Sequence, residues 1–312
     1  MLMLLILCIV LLILLGGSFY AYRIAFFSPQ KGRDTIPSTN APQYDPYRAE
    51  MKRIFHQLND RPCEFVTIYS QDGLKLSGRY YHIKDGAPLD IGFHGYRSSP
   101  LTDFSGGSEL SFNLGHNVLL VDQRAHGKSA GRTISFGIQE RQDLLCWVNY
   151  AIERFGSDTK VLLYGISMGG ATVLMASELD LPENVKGIIA DCPYSSPIDI
   201  ILHVGKSMPI PTWLIRPFAI WGAKIFGGFD LCETDAASAI QRTHVPILII
   251  HGEDDHFVPC EMSDIAAQNP EMVTRLTIPG ADHGISYLVD PDTYRRTVTE
   301  FIQNVLSRIS PA

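Results

Sequence analysis

A serine between glycines, an acidic loop and a late histidine occur in this chain in the order nucleophile, acid, base. The serine is Ser167, in Gly165-Ile166-Ser167-Met168-Gly169-Gly170. It follows the apolar run Val161-Leu162-Leu163-Tyr164 and opens a helix-forming stretch from Ala171 to Leu179. A sharp strand-to-helix turn exposes the hydroxyl, and only small residues fit beside it. A helix N-terminus at that point also favours developing negative charge. A hydroxyl stays a weak nucleophile until a base takes its proton. Among the ten histidines, His283 has the fitting position, in Pro279-Gly280-Ala281-Asp282-His283-Gly284, after the last strand-like run and before the final helix. His94, His251, His126 and His116 compete. His94 and His251 stand at strand ends beside glycines, as turn or packing residues do, and His126 lies in a polar turn.

The acid is expected in the loop His251-Gly252-Glu253-Asp254-Asp255-His256-Phe257-Val258-Pro259, where three carboxylates compete. Asp255 fits the pattern H-G-x-x-D-x-x-V-P, with Asp254 the runner-up and Asp191, at the end of an earlier strand, a further alternative. Its task is to hold one imidazole tautomer and stabilise the imidazolium without taking the proton. A tetrahedral intermediate also needs preorganised N–H donors. The backbone amide of Met168 is one candidate for this oxyanion hole. Tyr96, after Gly92-Phe93-His94-Gly95, is the other. The run Asp122 to Ser129 reads as a structural turn in which Asp122 and Arg124 satisfy the backbone and each other; the competing reading has Arg124 ordering the catalytic loop. Asp254 to His256 contain metal-ligand residue types, yet the triad already accounts for the acid there, so no metal is expected.

These residues need elements to carry them. Strand-like runs cover 65–69, 74–83, 89–94, 117–122, 160–165, 185–191, 245–251 and 273–279. Helix-length segments cover 138–154, 167–179 and 291–309, the last with Tyr294, Val298, Phe301, Ile302 and Val305 at helical spacing. Alternating β and α with apolar strands predicts a mainly parallel sheet covered on both faces. Between Pro193 and Val245 no strand pattern occurs, and apolar residues such as Ile201, Trp213 and Phe218 predict a short helical cap over the C-terminal sheet edge, where ligands bind in such sheets.

The first 22 residues carry no charged side chain. About 20 apolar residues span the hydrocarbon core of a bilayer, so a transmembrane anchor over residues 1–27 is expected, with the membrane as partner. A cleaved signal peptide is the competing reading, but no basic leader region or small-residue cleavage site is evident. Basic residues (Arg23, Lys31, Arg33, Arg48, Lys52 and Arg53) follow the run and none precedes it. Taken alone, that asymmetry keeps the catalytic part in the cytoplasm, although long domains translocate despite such charges. Residues 28–46 read as a tether, within a lead-in of 28–62. The catalytic domain is expected over 63–312, with the cap at about 194–244.

Composition narrows the partners. With 46% hydrophobic residues the chain can bury a sizeable core, and a net charge of −7 without Lys/Arg clusters argues against a nucleic-acid partner. The six cysteines form no CxxC pair and no zinc-site spacing.

Together the motifs resemble the α/β-hydrolase superfamily. Within it they are similar to a bacterial branch related to the serine aminopeptidase and BAAT/FrsA-type groups, often with an N-terminal membrane segment. The matching pieces are His94-Gly95, the D-x-R-x-x-G-x-S run at Asp122 to Ser129, the turn around Ser167, the H-G-x-x-D-x-x-V-P loop and Asp282-His283-Gly284, spread over Glu64 to Ile309. One departure is Ala125, which stands where that family usually has glycine. The resemblance implies the α/β-hydrolase fold and hydrolysis of a carboxylic ester, thioester or amide without a cofactor. The leading expectation is an esterase or lipase acting on a small acyl ester near a membrane. The rival is a serine peptidase or amidase, which would need a charged group to anchor its peptide; the cap offers only His203, Lys206, Arg216 and Lys224. A non-catalytic binding protein of the same fold is the alternative from a different class.

Overall fold

Strands that are apolar at nearly every position must be buried on both faces, and the central strands of the sheet here have that character. The computed structural model describes residues 1–29 and 42–307. In chain order its regular elements begin with α1 (Leu2–Ala21), α2 (Arg48–Asn59), β1 (Glu64–Tyr69), β2 (Lys75–Tyr81) and β3 (Leu89–Phe93). There follow α3 (Pro100–Asp103), α4 (Ser105–Asn113), β4 (Asn117–Asp122), α5 (Glu140–Phe155), β5 (Val161–Ile166), α6 (Met168–Ala176) and β6 (Val185–Asp191). The chain ends with α7 (Pro197–Gly205), α8 (Thr212–Gly222), α9 (Ala236–Ile240), β7 (Ile247–Gly252), β8 (Val273–Ile278), α10 (Ser286–Val289) and α11 (Pro291–Ser307). All eight expected strands are present, their ends moved by a residue or two. The lead-in helix α2 and the pair α3–α4 have no counterpart among the expected elements, because their apolar positions are few. The expected tether lies for most of its length outside the described residues, as do Lys31, Arg33 and the last turn expected for α11.

The strands form one sheet in the order β1-β2-β4-β3-β5-β6-β7-β8. β2 runs antiparallel to both neighbours and the pairs from β4 to β8 are parallel. Side chains alternate between the two faces. Leu119, Val121, Leu163 and Ile249 pack in one core with Leu144, Trp147 and Val148 of α5 and with α6. Leu120, Leu162, Tyr164 and Leu248 pack in the other with Phe55 and Leu58 of α2 and Tyr294, Val298 and Ile302 of α11. Parallel strands all deliver their C-terminal ends to one edge, which is where Ser167, Asp191 and the β7–β8 loops emerge.

The Asp122–Ser129 turn is structural, but its partners differ from those expected. Asp122 accepts from the Lys128 amide at 2.8 Å, while Arg124 turns away to Asp143 of α5, at 2.6 and 2.7 Å, and to Asp72 and Gln139. A buried guanidinium takes the carboxylate that can meet its planar fork, and that carboxylate is supplied from a distant helix. Ala125 in this turn has φ +64°, the left-handed region that glycine adopts freely.

The N-terminal segment is not an independent appendage. α1 continues through a widened turn, Tyr22–Phe26, and this end is packed into the body. Phe26 is fully buried between the rings of Phe136 and Phe229, with centroids at 5.7 and 5.4 Å. The Ile134 amide donates to the Phe26 carbonyl at 2.7 Å and the Ser28 amide to the Arg132 carbonyl at 2.8 Å. α8 of the cap lies along α1 so closely that a Cβ on Gly222 would stand 2.6 Å from the Ser18 carbonyl oxygen. The outer turns of α1 remain exposed, Leu7 at 64% among them. Truncating a buried phenylalanine costs about 3–5 kcal/mol, whereas an exposed substitution costs within about 0.5 kcal/mol. Phe26→Ala is therefore expected to lower the melting temperature of the whole catalytic body in detergent, and Leu7→Ala to leave it in place.

Candidate active site

The site begins with a strained residue. Ser167 joins β5 to α6 at φ +54° and ψ −115°. Such a turn exists only if the chain on either side comes very close to other backbone. A Cβ on Gly169 would lie 1.8 Å from the Phe93 carbonyl oxygen, and one on Gly165 would lie 2.1 Å from the Gly169 carbonyl oxygen. The Ser167 amide donates to the Asp191 carbonyl at 2.8 Å, fixing the turn to β6. The side chain then points where the loops after β7 and β8 arrive.

His283 and Asp255 come from those two loops. His283 Nε2 lies 3.0 Å from Ser167 Oγ, and Nδ1 lies 2.7 Å from Asp255 Oδ2. This arrangement puts the ring proton on Nδ1 and leaves Nε2 free to accept the serine hydroxyl. The other oxygen of Asp255 accepts from the Phe257 and Val258 amides at 2.9 and 2.7 Å. His251 Nε2 adds a contact of 3.2 Å to Oδ2. Burial pushes the Asp255 carboxyl upward, but hydrogen bonds from His251 and His283 outweigh it, so the group is held far below the usual carboxylate range. Asp254, the runner-up, is exposed. Asp191 turns away from the histidine: its Oδ2 accepts from Tyr294 Oη at 3.0 Å.

The remaining expected residues lie on the opposite side of Ser167. Met168 is the first residue of α6 and is buried. Gly95 passes so close that its Cβ would lie 3.3 Å from Ser167 Cβ, which brings Tyr96 to the rim of the same cavity. Two buried histidines hold this loop. His94 Nδ1 donates to the Gly95 carbonyl at 2.8 Å and Nε2 accepts from the Gln123 amide at 3.2 Å. His126 Nδ1 donates to the Arg124 carbonyl at 2.9 Å and Nε2 accepts from the Arg97 amide at 3.0 Å. Burial drives both below the ordinary range, to about 4 for His94 and about 3 for His126. Each stays neutral, with one donor and one acceptor nitrogen, as those bonds require.

Several neighbours were not among the expected site residues. Asp282 accepts from the His283 amide at 2.6 Å and from the amide and ring of His256, so the carboxylate beside the histidine shapes its loop. Tyr44 donates to the His283 carbonyl at 3.2 Å from a segment distant in sequence. Burial, with the nearby acids, pushes its phenol up to about 12. Cys192 Sγ lies 4.0 Å from His283 Nε2. Cys192, Asp255 and His283 offer metal-ligand atoms within 4.8 Å of one another. Asp255 and His283 are already bonded to each other, however, and burial pushes the Cys192 thiol well above its ordinary value, against the thiolate a metal requires.

Beside Ser167 opens a cavity of about 430 Å³, a size at which small ligands are bound. Its walls are apolar and come from α1, α7 and α8. Among the described lining residues Arg97 alone is charged. Its guanidinium is engaged by the Ile24 and Phe27 carbonyls, at 2.7 and 3.1 Å.

A family model described as the alpha/beta hydrolase fold matches residues 92–233. An esterase of Pyrococcus furiosus, Pf2001, superposes with a TM-score of 0.67 over 90% of this chain and 97% of its own, at 21% identity. The chain has the α/β-hydrolase fold. In sequence, the chain is similar to the uncharacterized protein YqkD of Bacillus subtilis, 26% identical over 93% of this chain and 92% of that one. A shorter match of 32% identity joins it to the thiohydrolase aneE of Aspergillus aculeatus, over 42% of this chain and 40% of that one.

Asp191 offers a test that separates it from Asp255. Burial pushes its carboxyl from 3.8 up to about 6, although the Tyr294 hydrogen bond works the other way. The folded state therefore favours the neutral acid. Stability from this site is fully present below pH about 4 and is lost as pH rises through about 6. Asp191→Asn keeps an acceptor for Tyr294 and removes the ionisation. It is expected to exceed the wild type in stability by about 3 kcal/mol at pH 7.5 and to match it near pH 4. Urea unfolding at the two pH values measures the difference.

Proposed function

We propose that the chain is a serine hydrolase that cleaves a carboxylic ester or thioester through an acyl-enzyme, anchored in a membrane by α1. The observation that carries this reading is the hydrogen-bonded series Ser167 Oγ, His283 Nε2, His283 Nδ1 and Asp255 Oδ2, at 3.0 and 2.7 Å, at the mouth of an apolar cavity. Esterase and thiohydrolase relatives support it.

In the first half-reaction Ser167 Oγ attacks the acyl carbon while His283 Nε2 takes the hydroxyl proton. The Asp255 carboxylate holds the ring and stabilises the imidazolium it becomes, without accepting the proton. The acyl oxygen gains negative charge and is met by the amides of Met168 and Tyr96, the former at the N-terminus of α6. On collapse the bond to the leaving group breaks, and His283 returns the proton to the departing alcohol or thiol. Water then attacks the acyl-enzyme, again giving a proton to His283, and the carboxylic acid leaves as Ser167 regains its hydrogen.

The cavity favours esters over peptides. A peptide brings a backbone and usually a charge that must be paired when buried, and the one charge in the lining is already bonded to Ile24 and Phe27. The anchor reading is supported by the 25-residue helix Leu2–Phe26, which contains an 18-residue stretch of mean hydropathy 3.0.

The test is a full-length preparation in detergent, assayed with p-nitrophenyl esters and a fluorophosphonate probe. Ser167→Ala should abolish both labelling and turnover. Asp255→Asn should leave the fold intact and lower kcat by about 10³–10⁴, through the wrong imidazole tautomer. Labelling of the wild type no stronger than that of Ser167→Ala would leave a binding protein of the same fold. Aminoacyl-arylamides cleaved much faster than esters would replace the esterase with an amidase.

A further inference from the structure

The cavity beside Ser167 has an unusual wall. Tyr20, Ala21 and Ile24, from the last turns of the apolar helix, line it together with Val204 of α7 and Ile215 and Phe218 of α8. The same helix, a few turns earlier, is charge-free and exposed on all sides, from Leu2 at 71% to Ile13 at 62%. One continuous helix thus passes from surroundings that suit lipid into the lining of the site.

The cap continues the apolar surface. Trp213 is 73% exposed at the start of α8, and Trp221, Ile225 and Phe226 are exposed at and beyond its end. These residues belong to the segment that packs along α1. The Phe226 ring meets Phe19 at 5.2 Å and Tyr22 at 6.1 Å. Tryptophan and tyrosine at such a level, next to a spanning helix, are what a membrane–water boundary selects. So large an exposed apolar area is costly in water and signals contact with something apolar.

The helix also touches the reacting region. Tyr96 Oη donates to the Ala25 carbonyl at 2.7 Å, and Arg97 donates to Ile24 and Phe27. The loop that passes beside Ser167 is therefore fastened to the end of α1.

Resting on the serine-hydrolase reading above, we infer that α1 is one wall of the acyl pocket and that the substrate is a long-chain acyl ester resident in the bilayer. Its chain lies between α1 and the cap, and its ester carbonyl reaches Ser167. Ala21 and Ile24 then set the chain length accepted. Each methylene that a pocket admits or excludes changes kcat/KM by about fourfold.

The experiment uses the full chain in phospholipid nanodiscs, with p-nitrophenyl butyrate, dodecanoate and hexadecanoate as probes. The wild type should prefer dodecanoate to butyrate. Ala21→Trp, which fills the wall, should lower the dodecanoate-to-butyrate ratio of kcat/KM by about tenfold or more. Ile24→Ala, which opens it, should raise the hexadecanoate-to-dodecanoate ratio and remains decisive if the tryptophan variant fails to fold. Leu7→Trp, on the exposed part of the helix, should leave both ratios at the wild-type values. A wild type that prefers butyrate, or ratios that Ala21→Trp and Ile24→Ala do not move in an enzyme that fluorophosphonate still labels at Ser167, would overturn the pocket assignment alone. Absence of Ser167-dependent labelling would instead remove the mechanism beneath it.

Discussion

A residue held at φ +54° without being glycine has to be kept there by its surroundings, and the centre of this molecule is built around that requirement at Ser167. The strain amounts to about 1–3 kcal/mol and persists only where neighbouring structure over-determines it. Here the neighbours are the Phe93 carbonyl, which leaves no space for a side chain at Gly169, and the Asp191 carbonyl, which accepts the Ser167 amide. Both belong to strands flanking β5 in the parallel sheet. The core on both faces of that sheet thus fixes the direction of one hydroxyl. His283 and Asp255 are then delivered to it by loops from the same edge.

The buried histidines follow from the same need for rigidity. His94, His126 and His251 are buried, hydrogen-bonded rings at the sheet edge, and His94 and His126 each join loops remote in sequence. His94 and His126 meet edge to face with centroids 4.7 Å apart and together set the path of Gly95 to Arg97. A protonated ring at either position would lose its acceptor nitrogen and with it the bond to Gln123 or Arg97, so burial and hydrogen bonding select the same state. His251 instead shares its Nε2 between the Val258 carbonyl, at 2.9 Å, and the Asp255 carboxylate, at 3.2 Å.

What was legible in the sequence was local in origin. Strand periodicity, the small residues around Ser167 and the D-H-G at Asp282 to Gly284 depend on neighbours along the chain, and they located the sheet and the three residues that meet. The partner of Arg124 was not legible, because choosing Asp143 over Asp122 depends on where α5 packs. Tyr44 was invisible for a similar reason: nothing in Pro42–Tyr47 shows that it folds back against the histidine loop. Ala125 shows the converse. The resemblance marks that position as usually glycine, and the positive φ found there supplies the physical reason. The inner end of α1 was read as membrane anchor alone, since an apolar helix end looks the same whether it meets lipid or Phe136 and Phe229.

That double character is the remaining step. A spanning helix is stabilised by lipid at any rotation, so its composition alone does not select a face. Gly17, Ser18 and Ala21 break that symmetry near its inner end, where small side chains let α8 approach and leave volume beside the cap. Small residues are what bring helices together when both are surrounded by apolar material, because close packing rather than the hydrophobic effect then drives association. On the proposed reading, a cavity at that junction shares one apolar boundary with the bilayer and the Ser167 hydroxyl with the rest of the body. A long acyl chain entering it exchanges one apolar environment for another and avoids water on the way. A short or polar ester arriving from solution would leave most of the cavity unfilled and gain little from it. On the function proposed above, Ser167 and the inner end of α1 line one cavity, and the helix is then part of the reaction site as well as its attachment.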